Sequence, residues 1–342
     1  MKKRTLCLIF GGKSREYPVS LKSCACILRY IDREKYEIHK IGITRDGGWY
    51  LYNGDEDKIE CDEWENYEKY PLYASLTTGE LTYFNKREIR IKPDIVFPII
   101  HGDFGEDGRL RGFFDALNIK CQGGTAESGA ITVNKYLTKL IAKENGIPVA
   151  DFCLIHKWEK SDLNKIYSNG RRLSYPLFVK AVSQGSSIGV YRVKGEEELV
   201  QSVVKALEYS PAVLMEKEIK GVETEIAMLE RNGEIMLGKI GQIKHGGDFY
   251  SYCEKYESNK TELIIPSKTE SSVEEKIKEY AKRIFLAAGC RGMCRADFFV
   301  TESSEVIFNE VNTVPGFTSG SMYPLLMARD GDIKGLIDLL CL

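Results

Sequence analysis

The sequence predicts a mixed fold: an α/β amino-terminal unit on a parallel, Rossmann-like sheet, followed by a larger α+β region in two parts. Three observations carry this. The chain opens with a short apolar run, Thr5 to Phe10, that stops at Gly11-Gly12 and leads into helical spacing at Val19, Cys24, Ile27, Leu28 and Ile31. Asp94 to Ile100 is apolar too continuously for a sheet with one wet face, so both its faces should be covered. Beyond residue 176 strand-like runs succeed one another, joined in one place by Asn232-Gly233, a favoured hairpin turn.

The elements follow in order. After the first strand and helix, Ile38 to Ile43 reads as a second strand and Asp94 to Ile100 as a third. Between them, Arg45 to Arg90 is rich in charge and aromatics and shows no chemistry; an excursion or an oligomer contact accounts for it. A helix is marked from Asn134, with Leu137, Leu140 and Ile141 on one face, Gly146 at its end and Pro148 beyond. Pro176 to Val182 and Ile188 to Val193 read as hairpin strands around Ser183 to Ser187. Val213 to Glu218, Glu223 to Leu229 and Ile235 to Ile240 are further strands. Val273 to Ala288 is an amphipathic helix closed by Gly289, and Gly292 to Val300 and Glu305 to Asn309 are the last strands, before a glycine-rich stretch from Pro315 to Ser321. The expected units are residues 1–122, 123–218 and 219–342.

Composition narrows the function. With 48 Lys and Arg against 50 Asp and Glu, the chain has no basic excess of the kind nucleic-acid binders carry, so no such partner is expected. No stretch approaches the ~18 apolar residues of a membrane span. The ten cysteines lack the close pairing of zinc or dithiol sites, which fits free thiols in a reducing cytoplasm.

Several residue patterns suggest chemistry. Strand residues alternate faces, so Arg295 and Asp297 share one face and Glu310 and Asn312 another. If these strands pair, two carboxylates and an amide gather as hard oxygen ligands for Mg²⁺, with an arginine suited to phosphoryl oxygens. A solvated face with cross-strand salt bridges fits the same pattern, and Asn309 breaks the alternation. Lys180 ends a strand and precedes Gly185-Ser186-Ser187-Ile188-Gly189, a hairpin able to cover phosphates with its amides; a plain turn with a surface lysine fits equally. Glu16 and the His101 to Gly108 loop lie beyond carboxyl ends of strands, where open α/β sheets bind ligands. Glu16 could pair with an ammonium group, or serve as an ordinary first-turn glutamate. Gly11-Gly12-Lys13-Ser14 is not a phosphate-binding P-loop, because Cys7 stands where the pattern needs glycine.

Taken together, these segments resemble the D-alanine–D-alanine ligase family of the ATP-grasp superfamily. The likeness runs in order from Ile9 to Leu326. It rests on Phe10 to Glu16 with Val19-Ser20; His101 to Gly108; Lys180 with Gly185 to Gly189; Glu216 to Glu223; Tyr250 to Tyr256; Arg295-Ala296-Asp297; and Asn309 to Thr313 with Pro315 to Ser319. It implies an ATP-grasp fold, with ATP gripped between the second and third units. It also implies the reaction: one D-alanine carboxylate takes the γ-phosphoryl group, and the amine of a second D-amino acid captures the acyl phosphate, for peptidoglycan synthesis.

By this resemblance Asp297, Glu310 and Asn312 would hold two Mg²⁺ ions, or Mn²⁺ in their place, and Arg295 would steady the transferring phosphoryl group. Lys135, Lys180 and Lys255 would meet nucleotide phosphates, with Glu216, Lys217, Ile219 and Glu223 around adenine and ribose. Glu16 would bind the first ammonium and link through Ser186 to Tyr256. Gly316 would offer an amide to the oxyanion, His101 and Tyr250 would border the substrates, and Ser321 and Met322 would line the second subsite. A homodimer is expected from the likeness alone. Relatives using D-lactate carry histidine where this chain has Tyr256, and D-serine-using relatives often carry arginine at Met322; both departures favour D-alanine. Ala181, Val133-Asn134 and Gly320 also depart from the family pattern. The alternatives are a D-alanine–D-serine ligase, another ATP-grasp carboxylate–amine ligase, and a nucleotide- or amino-acid-binding protein without turnover.

Overall fold

A computed structural model describes residues 2–244 and 262–341. Its amino-terminal part follows the order β1 (Arg4–Gly11), α1 (Tyr17–Tyr30), β2 (Tyr36–Ile43), β3 (Trp49–Tyr52), α2 (Asp57–Glu60), β4 (Lys69–Ala74), β5 (Leu81–Asn85), β6 (Arg87–Ile91), β7 (Ile95–Pro98) and α3 (Arg109–Ala116). These strands form one seven-stranded sheet, β6-β5-β4-β3-β2-β1-β7. Only β2, β1 and β7 run parallel; β3 to β6 extend the sheet as an antiparallel meander. The Arg45 to Arg90 segment therefore adds four strands to the sheet rather than forming a detached excursion.

β1 shows why the parallel strands read so clearly. Leu6, Leu8 and Phe10 point into one hydrophobic core, while Cys7 and Ile9 point into another on the opposite face. The strand ends at Gly11, whose φ of +89° and whose approach to the Ile43 carbonyl, 2.2 Å from where a Cβ would stand, exclude a side chain. Under this sheet Trp64 is fully buried against Phe10 and Tyr52 at 5.1 and 5.8 Å between ring centroids, and its indole donates to Tyr17 Oη at 2.8 Å.

The central part contains α4 (Ala126–Val133), α5 (Lys135–Glu144), β8 (Phe152–His156), α6 (Leu163–Leu173), β9 (Leu177–Ala181), β10 (Val190–Val193), α7 (Glu196–Ala206) and β11 (Ala212–Lys217). Its four strands are antiparallel in the order β10-β9-β11-β8, and α6 and α7 close over a core that includes Val179, Leu199, Val203 and Met215. β9 and β10 form the expected hairpin. Helix α5 starts at the expected cap: Asn134 Oδ1 accepts from the Leu137 amide at 3.1 Å. Its buried face differs from the expected one, however. Leu137 and Leu140 are exposed, and Thr138, Lys139 and Ala142 turn inward, because the helix packs towards the third sheet rather than onto its own apolar stripe.

The third sheet is assembled from β12 (Val222–Arg231), β13 (Glu234–Lys244), β14 (Glu262–Ile264), β15 (Met293–Val300) and β16 (Val306–Asn312), ordered β14-β13-β12-β15-β16. Asn232 and Gly233 both have positive φ, 52° and 83°, as the tight β12–β13 turn requires. Helix α8 (Ser271–Ala287) buries Val273, Ile277, Ala281, Ile284 and Phe285 against this sheet. The chain then returns through α9 (Met322–Met327) and α10 (Ile333–Cys341), whose Tyr323, Leu336 and Ile337 share a core with Leu8 and Phe10. No helix among the described residues is long and apolar enough to cross a membrane, and the nine described cysteines are free thiols.

Replacing Trp64 by alanine should cost about 3–5 kcal/mol of stability, by removing its burial and leaving a cavity between β1 and the Trp64 turn. Urea unfolding of the two proteins measures this, and a loss below about 1 kcal/mol would contradict the packing described.

Candidate active site

The register of the last two strands decides the site. Arg295 lies opposite Asn312 and Asp297 opposite Glu310, so the four polar residues share one face. The pairing then slips: Phe298 faces Phe308, leaving Asn309 as the extra residue of a bulge. That slip sends Phe308 and Val311 to the core and Glu310 and Asn312 to the other face. The break in alternation at Asn309 is thus what aligns the polar face.

On this face Arg295 is half-buried between carboxylates. Its Nε donates to Asp297 Oδ1 at 2.8 Å and its Nη2 to Oδ2 at 2.7 Å, while Glu225 Oε2 lies 3.0 Å from Nε. Burial works against the guanidinium charge, but Asp297 and Glu225 outweigh it and hold the group well above its ordinary range. Glu225 was not among the sequence candidates; it stands directly opposite Asp297 on β12, so strand alternation from Glu223 would have reached it.

Arg295, Glu225, Glu310 and Asn312 line one side of a cleft of about 700 Å³ together with Glu16, His101, Glu106, Lys135, Gln184, Ser186, Gly316, Ser321 and Met322, while Asp297 is buried and does not line it. Lys135 crosses it, 3.0 Å from Glu310 Oε2 and donating to the Gln184 carbonyl at 2.7 Å. Ser186 donates to Glu16 Oε1, joining the β9–β10 hairpin to the start of α1. Ser186 and Ser187 hold φ of 47° and 61°, a left-handed backbone unusual for residues with a side chain. Glycines press around the Glu16 carboxylate: a Cβ would come within 2.6 Å of it at Gly102 and 3.0 Å at Gly185.

His101 borders the cleft but has no ring nitrogen left for a ligand. Both its ring nitrogens are taken by the protein: Nδ1 donates to the Val314 carbonyl at 2.8 Å, and Nε2 accepts from Ser23 Oγ at 3.1 Å. Ser23 Oγ also accepts from the Phe317 amide at 3.1 Å, so α1, the His101 loop and the Gly316 loop are tied together. Burial pushes the imidazole down to about 4, leaving it neutral. Beyond this tie, Ser321 Oγ accepts from the Thr318 amide at 3.0 Å, and a Cβ on Gly316 would meet it at 2.9 Å. Met322 is buried at the cleft edge, and a side chain at Gly320 would meet nothing within 4 Å.

A second cluster lies along the central sheet. Lys180 Nζ sits 2.5 Å from Glu216 Oε1, and Lys139, missed in the sequence, sits 2.9 Å from Oε2. Burial alone would raise Glu216; the two ammonium groups reverse that and hold its carboxyl down to about 2. Lys217 is exposed, Ile219 and Glu223 are half-buried on the strand crossing that follows, and none of the three lines the 700 Å³ cleft. Tyr250, Lys255 and Tyr256 lie outside the described residues.

The donor set fits Mg²⁺. Asp297, Glu310 and Asn312 offer hard oxygens from neighbouring strand positions, and a magnesium ion takes few protein ligands and fills its shell with water and phosphate. Among the described residues no three carboxylate, imidazole or thiol groups converge as a metal cage, so the amide of Asn312 and the ligand's own oxygens are needed. An antiparallel sheet carrying lysines, set against a second sheet carrying paired carboxylates, defines the ATP-grasp class of enzyme.

The family models for the D-ala D-ala ligase N-terminus and C-terminus match residues 5–124 and 141–341. The chain belongs to the D-alanine–D-alanine ligase family. It is 37% identical over 336 residues to the D-alanine–D-alanine ligase of Clostridium novyi, covering 97% of this chain and 95% of that one. With that of Clostridium acetobutylicum it shares 38% over 342 residues, 98% and 96% of the two chains. Among solved structures, the VanG D-Ala:D-Ser ligase from Enterococcus faecalis superposes with a TM-score of 0.88 at 34% identity, covering 99% of this chain and all of that one. The D-alanine–D-alanine ligase from Coxiella burnetii gives 0.86 at 30%, with coverage of 100% and 93%.

Glu106 supplies a pH test. Burial, then the nearby Glu16 charge, raises its carboxyl to about 8. The folded protein then keeps a proton that the unfolded chain releases near the ordinary carboxyl range, so this residue's contribution to stability falls as pH rises towards 8. Glu106→Gln, always neutral, lacks that slope. Urea midpoints at pH 5, 6.5 and 8 should show the variant gaining on the wild type across the series; a constant difference would refute the assignment.

Proposed function

We propose that this protein is an ATP-dependent D-alanine–D-alanine ligase that makes the D-alanyl-D-alanine unit of peptidoglycan, releasing ADP and phosphate. The supporting observation is the near full-length kinship combined with the Arg295, Asp297, Glu310 and Asn312 face opposite Lys135. Within residues 123–218 and 219–342, the central and third sheets would hold the nucleotide between them, and residues 1–122 would present the first amino acid.

Asp297, Glu310 and Asn312 would hold two Mg²⁺ ions, which when bound offset the negative charge of the phosphates and of the incoming carboxylate. The chain's own groups do the rest. Arg295, kept charged and oriented by Asp297 and Glu225, faces transferring phosphoryl oxygens. Glu16, steered by Ser186, takes the first substrate's ammonium. The Gly316 amide, set by the Ser23 and His101 tie, serves the oxyanion of the tetrahedral state. His101 acts through that tie, since its own nitrogens are occupied. Lys180 and Lys135 meet phosphates, Glu216 with Lys217, Ile219 and Glu223 borders the nucleoside, and Lys255, Tyr250 and Tyr256 complete the set from outside the described residues.

A D-alanine–D-serine ligase is the second reading, favoured by the fit to the D-Ala:D-Ser ligase structure and by the open space at Gly320. A pocket for alanine discriminates weakly against an added hydroxyl. Mass spectrometry of products, with D-alanine, D-serine and D-lactate offered together, separates the two: D-alanyl-D-alanine should dominate, and a prevailing D-alanyl-D-serine product would transfer the assignment. Glu310→Gln should lower kcat by about 100-fold or more with the fold intact by circular dichroism; unchanged turnover would defeat the metal assignment.

A further inference from the structure

Lys139 belongs to no role assigned above. It lies one helical turn beyond Lys135 on α5, on the inward face, and is only 2% exposed. Its ammonium sits 2.9 Å from Glu216 Oε2, whose other oxygen lies 2.5 Å from Lys180 Nζ. Two amino groups thus share one carboxylate in a buried place. Burial pushes Lys139 below the usual lysine range while the Glu216 charge pulls it back, and with both lysines charged the trio carries one positive charge in excess.

An excess buried charge is costly, and one ion pair, Lys180 with Glu216, would have closed the account without it. A methionine at 139 would fill a similar volume at no electrostatic cost. The additional lysine gains a purpose only if an anion arrives beside it, and the side chain with room to meet that anion is Lys180, 12% exposed at the end of β9 beside the hairpin. We infer that Lys139 is a positioning residue for the nucleotide: it occupies one oxygen of Glu216 from below, so that the carboxylate no longer cancels Lys180 and the site keeps a net positive charge for the phosphates. This rests on the proposed nucleotide reading of the Lys180–Glu216 cluster on the central sheet.

The inference predicts selectivity by charge rather than general weakening. Calorimetric titration of the full-length protein with ADP and with adenosine, both without divalent metal, measures it. In the wild type, ADP should bind more tightly than adenosine. Lys139→Met should weaken ADP about tenfold, the scale of one unit charge acting on phosphates nearby, and change adenosine less than about twofold. The double variant Lys139→Met with Glu216→Gln restores the charge count and should recover the ratio of ADP to adenosine affinity, whatever its effect on adenosine itself. It also covers the case in which the single variant fails to fold. Equal losses for both ligands, or a double variant that keeps the reduced ratio, would overturn the role. A wild type that binds neither ligand would instead remove the nucleotide reading on which it rests.

Discussion

The site depends on charges that are buried or half-buried in opposed sets before any ligand is present. Arg295 is embedded between Asp297 and Glu225, Lys135 lies against Glu310, and Glu216 lies between Lys139 and Lys180. Withdrawing a lone charge from water is costly, and in each set the opposite charges offset that cost for one another. Each set therefore fixes both charge state and orientation, which is the preorganisation that phosphoryl and acyl transfer need. The sheets supply the spacing: cross-strand register brings Arg295 to Asn312 and Asp297 to Glu310, and the diagonal across β9 and β11 brings Lys180 to Glu216.

The neutral groups complement the charged ones. His101, held uncharged between Val314 and Ser23, adds no competing positive charge near Arg295 while carrying the alignment of the Gly316 loop. Ser23 therefore matters through backbone geometry: one hydroxyl spans the first helix, the His101 loop and the last loop of the site.

Much of this was legible in the sequence because local rules and tertiary demands agree. The glycine-ended β1, the Asn232-Gly233 turn, the Asn134 cap and the β9–β10 hairpin each state their structure within a few residues. The polar face of β15 and β16 was visible as alternation, and Asn309 marked the bulge without revealing what it did. Lys139 and Glu225 escaped notice for a common reason: each owes its importance to a partner far away in sequence. The α5 helix misled for the same cause, since its leucines suggest a buried stripe while long-range packing turns Lys139 inward and leaves Leu137 and Leu140 outside. The meander from β3 to β6 was hidden by charged and aromatic residues that suit an extended, partly wet sheet as well as a loop.

The shared core of the first and third parts has a mechanical meaning. Tyr323, Leu336 and Ile337 interlock with Leu8 and Phe10, whereas the central sheet keeps a core of its own and reaches the amino-terminal part through polar tips such as Ser186 with Glu16 and Gln184 with Asp103. Apolar interlocking resists separation more strongly than a few hydrogen bonds at a surface. The first and third parts are therefore the more firmly joined pair, and the four-stranded central sheet is held to the amino-terminal part by the contacts that cost least to break.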